Sequence, residues 1–246
     1  MTMVTINCQF TALDKQFFHR AEKCLSEQER QLFNDYQKVH RQQQFLAGHY
    51  LLRVGLTHLL GESEDFWEIG QESGAAPILL NPPENQQVYL SISHSKDQLY
   101  CAVSLNNPIG IDIESHTRDR PFIDFAQMYL SQQELGRLTA LEGNERKQHF
   151  YSLWTVMESV AKTKGNGLGQ DILSGCWQSK LEFTEYDYQL QKNGYFTYTT
   201  KFDGFTVSIA TAYPLELLGC AFLFDGSVIK KMECNFRRGH FMFNLE

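Results

Sequence analysis

A chain of 246 residues, 42% of them apolar and 13% aromatic, can bury a full core as one large domain or two smaller ones. Its 22 Lys and Arg against 29 Asp and Glu leave a formal charge of −7, which argues against a generic nucleic-acid binder. No run approaches the ~18 apolar residues of a membrane span, and MTMVTINCQF lacks the basic start and apolar stretch of a secretory signal. Cysteines at 8, 24, 101, 176, 220 and 234 form no CxxC, so neither a zinc knuckle nor a dense disulfide scaffold is indicated. The expectation is a monomeric cytoplasmic protein with reduced core thiols and no membrane or nucleic-acid partner.

In chain order, Val4 to Phe10 reads as a strand. Ser26-Glu-Gln-Glu29 is a capping box that opens a helix. Phe45, Leu46, Leu51, Leu52, Leu56 and Leu59 give helical apolar faces over about 40–60, and Gly61 ends that helix. Residues 61–87 read as irregular connection around a short strand or two. Val88 to Ser93 alternates strictly; Lys96-Asp97 is a turn and Leu99 to Leu105 the returning strand. Asn106-Asn107-Pro108 breaks the pattern and suggests a boundary, giving halves 1–107 and 108–246. Ile109 to Ile113 alternates again; Ser131-Gln-Gln-Glu134 is a second capping box. A third helix is expected from Phe150 to about Lys164, stopped by glycines 165, 167 and 169, and strands with one long hairpin follow. LSISHSKDQLYCAVSL resembles VSIATAYPLELLGCAFLF, and each follows a long helix. The echo suggests an α+β fold of two similar halves related by a pseudo-twofold, with a ligand cleft between them.

Three groups of residues could carry chemistry. Asp112 and Glu114, two apart on a strand, project from one face, opposite Ile109, Ile111 and Ile113. Such a pair suits Mg²⁺ with phosphate oxygens, or is an ordinary solvated strand face. In FYSLWTVMESVAKTKG, a helix apolar nearly all round, Glu158 and Lys162 stand one turn apart. Alone they read equally as a helix ion pair; with the DxE strand they resemble a metal–phosphate site. His94, flanked by Ser93 and Ser95 at a strand end, could donate to a phosphate oxygen or be merely structural. His40, His49 and His58 are no zinc site, because nine helical residues turn ~900° and put His49 opposite the other two. HExxH, a Walker A loop, GxGxxG and GxSxG are all missing.

SISHS (91–95), PIGIDIES (108–115) and FYSLWTVMESVAKTKGNGL (150–168), in this order, resemble the 4′-phosphopantetheinyl transferases of the two-halved Sfp type. FAQMYLSQQELGRL (125–138) and RQQQFLAGHYLLR (41–53) extend the likeness over most of 26–170. The resemblance implies transfer of 4′-phosphopantetheine from coenzyme A to a serine of an apo acyl or peptidyl carrier protein, with release of adenosine 3′,5′-bisphosphate. It implies Mg²⁺, replaceable by Mn²⁺, on Asp112, Glu114 and Glu158, with Glu158 also the base and Lys162 the active-site lysine that contacts coenzyme A. Ser93 and His94 would be coenzyme A phosphate contacts. The sequence departs from the family at Gly74-Ala75-Ala76-Pro77, where Ala76 stands in place of the usual phosphate-binding lysine, and at His49, in place of a frequent arginine. Arg41 is the first candidate to supply the missing cation, with Lys38 and His40 behind it. Carrier docking calls for local basic residues, for which Arg118, Arg120, Arg137, Arg146 and Lys147 are candidates. Two other readings stay open: an inactive carrier- or coenzyme-binding homologue, and a Mg²⁺-dependent pyrophosphohydrolase.

Overall fold

The computed structural model describes residues 2–72, 75–117, 122–130, 132–165, 180–182, 194–215, 221–232 and 237–242. Among them the chain runs β1 (Met3–Gln9), α1 (Lys15–Lys23), α2 (Glu27–Asp35), α3 (Val39–Leu60), β2 (Ile69–Gly70), β3 (Ile78–Leu79), β4 (Val88–Ser95) and β5 (Gln98–Leu105). It continues through β6 (Ile109–Ser115), α4 (Phe122–Tyr129), α5 (Gln132–Ala140), α6 (Gly143–Thr163), β7 (Lys180–Glu182), β8 (Gly194–Phe202) and β9 (Phe205–Thr211). Strands β10 (Ala221–Phe224), β11 (Ile229–Met232) and β12 (Arg237–Met242) follow. The fold is α+β.

The contacts divide the chain into two compact units, Met1–Ile109 with Leu215–Cys234, and Gly110–Pro214 with Asn235–Glu246. This differs from a single cut after residue 107. The reason is β10, which pairs in parallel with β1 through Thr5↔Ala221, Ile6↔Phe222 and Asn7↔Leu223. A parallel partner cannot come from a tight hairpin, so the chain returns to the first sheet from far along the sequence.

The first unit's main sheet has the order β11-β10-β1-β5-β4. Val4, Ile6, Cys8, Leu90, Leu99, Cys101, Val103, Phe222 and Phe224 join Phe17, Leu51, Leu52 and Leu56 in one buried cluster beneath α1 and α3. The alternate residues Thr5, Asn7, Ser91, Ser93, Ser95, Tyr100 and Ser104 form the opposite, polar face, which is also buried. Ser26 caps α2 and Glu29 reaches back to the Ser26 amide, as the capping box predicts. Helix α3 ends at Gly61, whose φ of 93° is left-handed.

The second unit's sheet has the order β6-β9-β8-β12-β7. Helix α6 lies on β9, tied by Thr155 Oγ1 to Ser208 Oγ at 2.7 Å, and Ser208 to Thr199 Oγ1 at 2.9 Å. Phe150, Leu153, Trp154 and Met157 of α6 form a cluster with Ala126 of α4 and Leu138 of α5. Helix α6 begins seven residues before the expected Phe150. Its first two turns, Gly143 to His149, are largely polar and half-exposed, so they carry no apolar period to read. Ser131 and the glycines at 167 and 169 lie outside the described residues.

The sequence echo does not correspond to equivalent hairpins. Residues 88–105 form the β4–β5 hairpin in one sheet. Residues 207–224 divide between β9 of the second sheet and β10 of the first. The long hairpin expected late in the chain is β8–β9, turned by Asp203 and Gly204 with φ of 43° and 78°.

Candidate active site

In the second unit, the chemistry starts from a glycine. A Cβ on Gly110 would lie 2.0 Å from the Ser159 carbonyl oxygen and 2.6 Å from the Thr163 amide nitrogen. Strand β6 can therefore touch the last turns of α6 only because residue 110 has no side chain. Alternation then places Asp112 and Glu114 on the same helix-facing side as Gly110, with Ile109, Ile111 and Ile113 on the other. Lys162, one helical turn past Glu158, reaches β6 and donates to Asp112 Oδ1 at 2.8 Å and to the Ile111 carbonyl at 3.1 Å.

Asp112 and Glu114 are buried, at 5% and 9% exposure, so these carboxylates are not a solvated strand face. Burial of two acids is costly unless cations compensate, and the Lys162 ammonium compensates the first. Hard carboxylate oxygens are the donors Mg²⁺ favours, so the chemistry of Asp112, Glu114 and Glu158 fits that ion. Among the described residues no three His, Cys, Asp or Glu side chains are gathered for metal binding.

In the first unit, the start of α3 meets the end of β4. Arg41 Nη1 lies 3.1 Å from His94 Nε2, and Arg41 also donates to Gln44 Oε1. The guanidinium sits 5.5 Å from the centroid of the Tyr36 ring. Two residues chosen separately from the sequence, Arg41 and His94, thus stand together as an exposed pair of nitrogen groups. Ser93 is placed differently: it is buried on the polar face of the sheet, whereas His94 belongs to the face covered by α3. His40, a weaker candidate, lies against the Phe10 ring at 5.1 Å.

His49 belongs to a buried ionic group. Arg53 forks onto Glu29, Nη1 to Oε1 at 2.8 Å and Nη2 to Oε2 at 2.6 Å. His49 Nδ1 lies 2.6 Å from Glu29 Oε1, and its Nε2 lies 2.8 Å from Gln71 Oε1. Burial alone would raise the Glu29 carboxyl, but hydrogen bonds from Arg53 and His49, reinforced by their charges, hold it down at about 2. His58 lies apart, edge-on to Phe222 at 4.9 Å. The sequence reading found the capping box but not that its glutamate is an ionic hub; the missed signal is the four-residue period of Arg41, Phe45, His49 and Arg53 on α3.

Of the basic docking candidates, Arg146 is committed to the end of α5. Its Nε donates to the Leu141 carbonyl at 2.5 Å and its Nη2 to that of Thr139 at 3.2 Å. Arg137, 56% exposed, pairs with Glu134 at 2.6 Å. Lys147 is half-buried at the start of α6, and Arg118 and Arg120 lie outside the described residues. No helix of the described residues is long and apolar enough to cross a membrane.

A family model for the 4′-phosphopantetheinyl transferase superfamily matches residues 108–210, which contain Gly110, Asp112, Glu114, Glu158 and Lys162. Over those residues the chain is similar to this superfamily. The chain is 28% identical over 180 residues to the 4′-phosphopantetheinyl transferase gsp of Aneurinibacillus migulanus, covering 73% of this chain and 72% of that protein. It is 32% identical over 123 residues to a 4′-phosphopantetheinyl transferase of Bacillus subtilis, covering 50% and 52% of the two chains. Against 4′-phosphopantetheinyl transferase Sfp of Bacillus subtilis (strain 168) the identity is 36% over 87 residues, 35% and 37% of the chains. The chain thus spans about half the length of the second relative and about a third of the third.

Proposed function

We propose that this protein transfers 4′-phosphopantetheine from coenzyme A to a serine of an apo acyl or peptidyl carrier protein. The observation that carries the reading is the Lys162–Asp112 pair, held at 2.8 Å by the close approach of β6 to α6 at Gly110. It sets an ammonium beside a buried carboxylate, a chemistry suited to a phosphate ester, within the stretch similar to the transferase superfamily.

Asp112, Glu114 and Glu158 would hold Mg²⁺, which when bound would supply positive charge to offset that of a pyrophosphate. The half-buried Glu158 accepts the proton of the carrier serine as its oxygen forms a bond to the β-phosphorus. The bond from that phosphorus to the adenosine 3′,5′-bisphosphate oxygen breaks, and the electron pair leaves on the bisphosphate. Lys162 has three N–H donors, two of them engaged by Asp112 and Ile111, and the third is available to the leaving phosphate oxygen. Arg41 and His94 bind coenzyme phosphate in the first unit, where a guanidinium fork suits a phosphate dianion. Ser93, the other residue expected to contact coenzyme phosphate, is buried on the opposite face of that strand. Free thiols at Cys8, Cys24 and Cys101, the first pushed up to about 12 by burial, fit a reducing compartment such as the cytoplasm.

The test is incubation with coenzyme A, Mg²⁺ and a panel of apo carrier proteins, read by mass spectrometry. The expected result is a mass gain of one phosphopantetheine on the carrier, abolished by EDTA and restored by Mg²⁺ or Mn²⁺. Bisphosphate release without carrier labelling would instead identify a hydrolase, and full activity in metal-free buffer would remove the carboxylate trio from metal binding.

A further inference from the structure

Asp112 has two oxygens that a divalent cation would use, and both are already covered. Oδ1 accepts from Lys162 Nζ at 2.8 Å, and Oδ2 is buried. The same ammonium donates to the Ile111 carbonyl at 3.1 Å, so it is held by two successive residues of β6. The Lys162 side chain is 27% exposed and that of Asp112 only 7%, so it is the lysine that has solvent to move into.

The backbone gives this pair little room to open. At Gly110 a Cβ would already lie 2.0 Å from the Ser159 carbonyl oxygen. Thr163 Oγ1, one turn further along α6, lies 2.8 Å from that same oxygen and 3.1 Å from the carbonyl oxygen of Ala210 in β9. The end of α6 is thus fixed against β6 and β9 alike. Asp112 is a short side chain on a strand held in this way, whereas Lys162 carries its ammonium on a flexible four-carbon stem. When the two part, the lysine moves.

A divalent cation and an ammonium compete for Oδ1. Each brings positive charge to the same oxygen, and their repulsion is strong beside a buried carboxylate, where water screens little. Mg²⁺ also demands near-ideal octahedral geometry and gives up its waters reluctantly, so it is poorly suited to sharing a crowded oxygen. Exchange of one cation for the other, by contrast, leaves the buried carboxylate compensated before and after. We propose that Lys162 is the resident counter-ion of Asp112, which keeps the protein alone from binding a divalent cation tightly, and that a coenzyme phosphate opens Asp112 by drawing the ammonium to itself. The proposal rests on the coenzyme A and metal reading above. The third N–H of the ammonium gives that phosphate its first contact, and metal and coenzyme then bind cooperatively.

The exclusion is tested without turnover, at one fixed pH. Free Mn²⁺ measured by electron paramagnetic resonance should show weak binding to the wild-type protein and binding about tenfold tighter to Lys162→Ala, since an Asp112 open in roughly one molecule in ten lowers affinity by that factor. Lys162→Arg, which keeps the charge, should bind as weakly as wild type. In the wild-type protein the side-chain ¹H–¹⁵N signal of the Lys162 ammonium, identified by its loss in Lys162→Arg, should be protected by the ion pair. Saturating Mg²⁺ should move it to the fast-exchanging position of a solvated lysine, and coenzyme A in the presence of EDTA should shift it as well. Should Lys162→Ala lose its fold, the wild-type signal decides alone. Equal Mn²⁺ affinity in wild type and a folded Lys162→Ala, or an ammonium signal unmoved by bound metal, overturns the exclusion. Coenzyme A that binds with the ammonium still on Asp112 overturns the release step. Displacement by Mg²⁺ in a protein that binds no coenzyme A overturns the coenzyme reading and the release step, while the exclusion stands. Failure of wild type and variants to bind any divalent cation, with or without coenzyme A, overturns the metal reading and the exclusion with it.

Discussion

Arg41 and Lys162 show how single side chains divide the work. Arg41 can turn from Gln44 and His94 onto two phosphate oxygens without moving its helix. Arg41→Ala should raise the Michaelis constant for coenzyme A about tenfold, equivalent to ~1.4 kcal/mol. The effect should be much smaller with 3′-dephospho-coenzyme A, which lacks the 3′-phosphate; equal losses with both would return Arg41 to the surface. Lys162 is different because its donors are already spent in part on Asp112 and Ile111. Lys162→Ala should lower turnover about a hundredfold, with a smaller effect on coenzyme A affinity, as expected for charge stabilisation developed in the transition state. Steady-state kinetics beside direct binding measurements would separate these. Reduced thermal stability with near-normal activity per folded molecule would make the pair purely structural.

At the scale of elements, the site depends on two contacts made by backbone and buried charge. Gly110→Ala would drive a methyl group into the Ser159 carbonyl, so β6 and α6 must separate. The expected cost is about 3 kcal/mol, the upper range for overpacking, or roughly 6–12 °C in Tm for a chain of this size. Activity should fall with it, because the Asp112–Lys162 distance is set by that contact; calorimetry and the carrier assay together check this. Glu29 joins α2 to α3. Its carboxyl is held at about 2 when folded and is near 4.5 when free, so its contribution is present above about 4.5 and is lost as pH falls toward 2. That contribution is of order 3 kcal/mol. Glu29→Gln should flatten the acid limb of a stability–pH curve measured by denaturant titration, and an unchanged limb would exclude the pair as its source. Much of this level was legible beforehand. Periodicity marked α3, β4, β5 and β6, and the acids of β6 and α6 were found because charge stands out in apolar elements. The role of Gly110 was not legible, since a close approach leaves no trace in a hydrophobic pattern. Nor was the bond between Lys162 and Asp112, 50 residues apart, which exists only once β6 meets α6.

For the molecule as a whole, the instructive departure is the parallel pairing of β10 with β1. Local pattern reading favours contiguous halves, because hairpins and helix–strand contacts between neighbours are the signals that repeat in a sequence. A strand that returns from residue 221 carries the same alternation as one that stays local. The consequence can be tested by expression of residues 1–109 alone. That fragment lacks β10 and β11, so β1 becomes an edge strand with unpaired backbone groups. It also lacks Phe222 and Phe224, which are buried in the same cluster as Phe17, Leu51 and Leu56. Phe224 alone contacts the rings of Phe17 and Tyr50, and loss of a buried phenylalanine costs about 3–5 kcal/mol. Two such losses are comparable to the whole stability of a small domain, about 5–15 kcal/mol. The fragment should therefore aggregate or give a poorly dispersed NMR spectrum. Joining residues 215–234 to it through a flexible linker should restore dispersion and a cooperative thermal transition. Because β5 ends beside Met3 and β10 starts beside Thr5, the linker joins chain ends on one side of the sheet and need not run the length of a strand. A fully folded, cooperative 1–109 fragment would show that β10 and β11 only decorate a sheet that stands without them.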